Sequence, residues 1–93
     1  MVQHIVMWNL KNDVDKPAVI SEMKEKLEGL LGYVSGLKSI QVSPCFAGYD
    51  VVLVCTCENK DKLEAYQNHP KHVAIKEYIS TVAQSRAFCD AEI

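Results

Sequence analysis

Three histidines and a tyrosine are the residues of this chain best suited to chemistry: His4 near its start, and Tyr66, His69 and His72 within the stretch Tyr66-Gln67-Asn68-His69-Pro70-Lys71-His72-Val73-Ala74. A neutral imidazole can take a proton near pH 7, and a phenol can donate a hydrogen bond to the oxygen that gains charge when a proton leaves a neighbouring carbon. Proline is welcome at a helix's first position but not inside one, so the stretch predicts a helix ending near Asn68 and another opening at Pro70. His72 then falls in the first turn of the second helix, where free N–H groups disfavour imidazolium and keep the ring a base. His69 and His72 also suit a plainer role, satisfying loose backbone groups at the helix break, and His4 suits a packed strand residue. His69 is assigned that structural role here, and His72 is the preferred base.

The elements that must position these groups follow from periodicity. Residues Val2 to Leu10 alternate, with Val2, His4, Val6, Trp8 and Leu10 on one face and Gln3, Ile5, Met7 and Asn9 on the other. Pro17 opens a helix running to about Leu31 on Val19 or Ile20, Met23, Leu27, Leu30 and Leu31, closed by Gly32. Leu37 to Ser43 reads as an edge strand of mixed polarity, and Tyr49 to Cys57 as a central strand apolar on both faces. Asn59 or Asp61 caps a helix carrying Leu63 and Tyr66. The segment after Pro70 carries Val73, Ile75 or Lys76, Tyr78, Ile79 and Val82, and Arg86 to Ile93 alternates as a closing strand.

The order is β-α-β-β-α-β, which with right-handed crossovers gives an α+β fold: a four-stranded antiparallel ferredoxin-like sheet with two helices on one face. Strands apolar on both faces need two covers, and the helices supply one. A second sheet packed face to face would supply the other, making a dimeric α+β barrel. Small size points the same way, since a chain of 93 residues, read as a single domain over residues 1–93, buries a limited share of its surface alone.

Composition narrows the function classes. The net charge of -2, with lysines scattered among Asp and Glu, argues against nucleic acid. No stretch approaches the roughly 20 apolar residues of a membrane span, and MVQHIVMWNLK lacks the pattern of a secretory signal, so a cytoplasmic protein is expected. Cys45, Cys55, Cys57 and Cys89 show neither zinc nor redox spacing, and read as small apolar residues in a reducing compartment. No metal site is expected, because Pro70 interrupts the His69/His72 pair and no third ligand is evident. Nor is a cofactor expected.

The opening His4-Ile5-Val6-Met7-Trp8-Asn9-Leu10-Lys11, the lead-in Gly48-Tyr49-Asp50 and the block Leu63-Glu64-Ala65-Tyr66-Gln67-Asn68-His69-Pro70-Lys71-His72 resemble the stress-responsive dimeric A/B barrel (Dabb) family over essentially the whole chain. The resemblance implies a homodimeric barrel, with members known as stress-associated proteins and a plant branch of polyketide cyclases. In that branch the last histidine of the block acts as base and a tyrosine in the preceding helix holds substrate; these fall on His72 and Tyr66, and a first-strand histidine on His4. A further polar position of the cyclases is Val51 here, a departure from their pattern.

The expected function is therefore a homodimer binding a small hydrophobic molecule in a cleft between sheet and helices. Trp8 and Val6 would contact the ligand and His4, Tyr66 and His72 would supply its polar groups. The alternative is a polyketide-cyclase-like enzyme with His72 as general base and Tyr66 as hydrogen-bond donor. A weaker one is a barrel monooxygenase, for which the sequence shows no clear haem ligand.

Overall fold

A computed structural model describes residues 1–93. The elements run β1 (Val2–Leu10), α1 (Lys16–Glu28), β2 (Leu37–Pro44), β3 (Val51–Cys57), α2 (Lys60–Asn68), α3 (Pro70–Val82) and β4 (Ala83–Glu92). The strands form one antiparallel sheet in the order β2-β3-β1-β4, the ferredoxin-like arrangement, with β2 at an edge as expected. The second helical element is two helices, divided where Pro70 requires it.

Alternation in β1 and β3 puts Val2, His4, Val6, Trp8 and Leu10, with Val51, Leu53, Cys55 and Cys57, on the inner face, all buried. Val19, Met23 and Leu27 of α1 and Leu63, Tyr66, Ile75, Ile79 and Val82 of α2 and α3 close over that face. The outer face has no helix. Ile5, Met7, Val52 and Val54 lie there half-buried, beside Ala87 and Cys89 of β4.

An exposed edge strand leaves backbone groups unpaired. Two α1 side chains take up those of β2: Glu28 accepts from the Val42 N–H at 2.9 Å, and the Lys24 ammonium donates to the Val42 carbonyl at 2.9 Å. The ammonium also meets the Glu28 carboxylate at 2.6 Å, and together the two contacts hold that carboxyl below its usual pKa.

Several boundaries differ from the periodic reading. Helix α1 stops at Glu28, not Leu31: the chain tightens into turns in which Leu30 donates to the Leu27 carbonyl and Leu31 to that of Glu28. Leu30 and Val34 are buried by these turns while Leu31 is left in solvent, and Gly32 serves the turn with φ +92° rather than closing the helix. Strand β3 starts at Val51, not Tyr49, because the Tyr49 N–H turns back to the Ala47 carbonyl and the Asp50 carboxylate accepts from the Leu10 N–H at 2.7 Å. Strand β4 begins at Ala83, three residues before Arg86, with Ala83 opposite Leu10 across an irregularity in the β1–β4 ladder. Val73, expected to pack, is exposed.

Candidate active-site cleft

Between α3 and the inner faces of β1 and β4 lies a cavity of about 270 Å³. Val6 and Trp8 of β1, Leu53 of β3 and Leu27 of α1 form much of its apolar wall. His4, Tyr66 and His72 line it together, so the structure gathers the three polar residues picked from sequence, along with Trp8 and Val6.

Tyr66 lies at the centre of the group. Its ring sits 4.4 Å, centroid to centroid, from that of His72 and 6.4 Å from that of His4, the latter edge-on at 69°. It has no exposed surface, and its hydroxyl is buried without a hydrogen-bond partner beside Cys55 and Cys57. Burial, with the neighbouring thiols, pushes the phenol far above its ordinary pKa, so it remains a neutral donor. The two cysteines are themselves buried, and loss of hydration raises the Cys55 thiol to about 12.

His72 is placed by the joint that breaks the helix. His69 caps both helices: its N–H donates to the Tyr66 carbonyl at 3.3 Å, and its carbonyl accepts from the His72 and Val73 N–H groups, each at 2.9 Å. Its ring Nδ1 accepts from the Lys71 N–H at 3.2 Å. These bonds fit the structural role read for His69. His72 in the next turn is 7% exposed, and its Nδ1 is buried without a partner.

The neutral state of His72 has a different main cause from the one read in sequence. Burial is the largest influence lowering its pKa from 6.5 to about 4; the charge of Lys76 follows, with smaller contributions from His4 and Arg86, against an opposing pull from the Gln67 carbonyl. The consequence for stability has a definite sign. The unfolded chain takes the proton near pH 6.5 and the folded chain resists it to about pH 4, so this contribution is complete above 6.5 and lost as pH falls toward 4. Its full size is roughly 3 kcal/mol. Urea unfolding at about pH 7.5 and about pH 4.5 is expected to show a smaller acid loss in a His72→Leu variant than in the parent, by up to that amount. Equal losses in the two proteins would overturn the assignment.

His4 faces Asp90 across the β1–β4 ladder, and its Nδ1 is hydrogen-bonded to the Asp90 carboxylate. The carboxylate is the acceptor in this bond, so Nδ1 carries the hydrogen that it shares. Sequence reading missed Asp90, and also Lys76 and Arg86, which line the cavity from α3 and β4. The alternation of β4 does put Arg86, Phe88 and Asp90 on one face. What it lacks is the pairing that sets Arg86, Phe88 and Asp90 opposite Trp8, Val6 and His4.

No three His, Cys, Asp or Glu side chains are grouped to hold a metal ion. No helix is long and apolar enough to cross a membrane.

Comparison with known proteins places this geometry in a context. No curated protein matches the chain. A dimeric protein of unknown function with a ferredoxin-like fold from Bacteroides fragilis is 31% identical, with 99% of this chain and 95% of that chain covered and a TM-score of 0.90. A dimeric ferredoxin-like protein of unknown function from Thermobifida fusca is 22% identical over 99% of this chain and 90% of that one, with a TM-score of 0.87. The hydroxynitrile lyase of Passiflora edulis shares the fold at 11% identity, covering 99% of this chain and 92% of the lyase, with a TM-score of 0.86. The profile of the stress responsive A/B barrel domain matches residues 2–93, the span that holds the whole sheet and every residue of the cleft, and the chain belongs to that family.

Proposed function

We propose that this protein works as a homodimer in which each protomer binds a small, mostly apolar molecule in the cleft between α3 and the sheet. The observation that supports the reading is the coincidence of an apolar cavity of about 270 Å³ with two buried polar atoms, the Tyr66 hydroxyl and His72 Nδ1, that lack partners within the chain. A buried polar group left unsatisfied costs about 1–3 kcal/mol. A ligand that fills the apolar space and shifts the lining enough to present an acceptor to Tyr66 and a hydrogen to His72 would offset both penalties. Dimerisation is supported by the outer sheet face, where Ile5, Met7, Val52 and Val54 need a second cover, and by the dimeric relatives. Four free cysteines, two of them buried, suit a reducing compartment such as the cytoplasm.

A second reading, catalysis by proton abstraction beside a carbonyl, is favoured by the neutral ring of His72 and its 4.4 Å centroid separation from Tyr66. In this reading the C–H bond breaks, its proton passes to His72 Nδ1, and its electron pair enters an enolate whose oxygen accepts from the Tyr66 hydroxyl.

Binding is tested with 4-phenylbutan-2-one, which joins an apolar ring to a ketone. Trp8, the chain's one tryptophan, is in the cavity wall and reports occupancy by its fluorescence. A saturable change, lost when Leu53→Phe fills the cavity in a variant that stays folded by circular dichroism, is the expected result. A signal that remains non-saturable up to the probe's solubility would overturn the proposal.

A further inference from the structure

Lys76 and Arg86 are the two permanently charged side chains that line the cavity, and both are exposed where it meets solvent. The chain has 12 acidic residues to 10 basic ones, yet none of the acidic side chains lines this cavity. Lys76 and Arg86 form no ion pair, as is also true of Lys11, Lys62 and Lys71, while Lys16, Lys24, Lys26, Lys38 and Lys60 each meet a carboxylate. Asp90, the acidic residue paired with the β1 wall, is engaged by His4. The guanidinium carbon of Arg86 lies over the Phe88 ring, 4.9 Å from its centroid. The positive field reaches the interior, since both cations contribute to holding His72 neutral.

We infer that the cleft selects a small carboxylate whose carboxyl group is received by Lys76 and Arg86 at the mouth, while its body, apolar apart from a polar group that meets Tyr66 and His72, lies among Val6, Trp8 and Leu53. This rests on the ligand-binding reading above and names the class of ligand. An unpaired ammonium and guanidinium at the end of an apolar cavity match a carboxylate better than a neutral head, because charge-assisted hydrogen bonds are roughly twice as strong as neutral ones. The planar guanidinium fork fits the two oxygens of a carboxyl group. A neutral amide of the same shape gives up that attraction but keeps the burial of its tail.

The test is a pair of titrations followed by Trp8 fluorescence, with 4-phenylbutanoate and with 4-phenylbutanamide. The carboxylate is expected to bind about tenfold more tightly at low salt, with the preference shrinking as salt is added. In a Lys76→Gln/Arg86→Gln variant the ratio of the two affinities is expected to fall to near one. In Lys38→Gln, which removes a charge elsewhere, the ratio is expected to persist. A parent protein that binds the amide as tightly as the carboxylate overturns the inference while leaving the binding reading in place. Failure of both probes to saturate overturns the binding reading and the inference with it. The phosphonate of the same body, 3-phenylpropylphosphonate, binding more tightly than the carboxylate would overturn the choice of head group.

Discussion

In deuterium oxide the parent protein is expected to catalyse exchange of the α-hydrogens of 4-phenylbutan-2-one, and a His72→Gln variant to lose that catalysis by a factor of about 100 or more, the usual range for a positioned general base. Glutamine approximates the size of the ring and can still hydrogen-bond, but it cannot hold the abstracted proton. If His72 is the base, that proton would reside on its Nδ1 and exchange with solvent, and a deuteron would return to carbon. With a pKa lowered to about 4, His72 stays in its basic form throughout the neutral range. The exchange rate is therefore expected to be flat from about pH 5.5 to about pH 8.5, whereas an ordinary histidine base would show a titration near 6.5. Low basicity also limits the rate, so the reaction is best followed by proton NMR over hours. Tyr66→Phe is expected to slow exchange less than His72→Gln, since it removes stabilisation of the enolate but leaves the base. Exchange undiminished in His72→Gln would sink the catalytic reading and leave the binding reading to stand on the fluorescence titrations.

Changing Val54 to aspartate is expected to convert a dimer into a folded monomer, seen by sedimentation at micromolar concentration. Val54 pairs with Ile5 on the outer face, between the two central strands, and its side chain has no helix over it. In a face-to-face dimer each copy would bring an unpaired carboxylate into a dry apolar contact, a penalty of several kcal/mol. A loss of about 4 kcal/mol weakens association roughly a thousandfold. The same substitution on a free surface would change little. A parent protein that sediments as a monomer would refute face-to-face pairing outright, and a Val54→Asp protein that remains dimeric would place the contact elsewhere.

Much of the architecture could be read from sequence because two periods dominate it. The alternation of Val2, His4, Val6, Trp8 and Leu10 is visible without neighbours, since successive strand residues point to opposite faces. Pro70 marks the helix break with equal clarity. The first three residues of β4 offer no such pattern: Ala83 packs against the core with only a methyl group to show it, and Gln84 and Ser85 are exposed on an edge strand that asks little of them. The end of α1 was obscured because Leu30 is buried by a turn that continues the apolar spacing after the helix has stopped. Within the site, the aromatic and histidine members were legible from residue type and position. Asp90, Lys76 and Arg86 were not, because each matters only through what the tertiary fold sets against it: a register for the first and a shared cavity mouth for the other two. The reason His72 stays neutral was hidden for the same cause, since burial is a property of the packed chain.

The double cap at His69 has a mechanical consequence. Tyr66 belongs to the last turn of α2 and His72 to the first turn of α3, yet bonds from one residue hold the Tyr66 carbonyl on one side and the His72 amide on the other. His69 thus acts as an elbow between two short levers. Pivoting there would alter the gap between phenol and imidazole and the width of the opening under α3, while every rung of the sheet stayed in place.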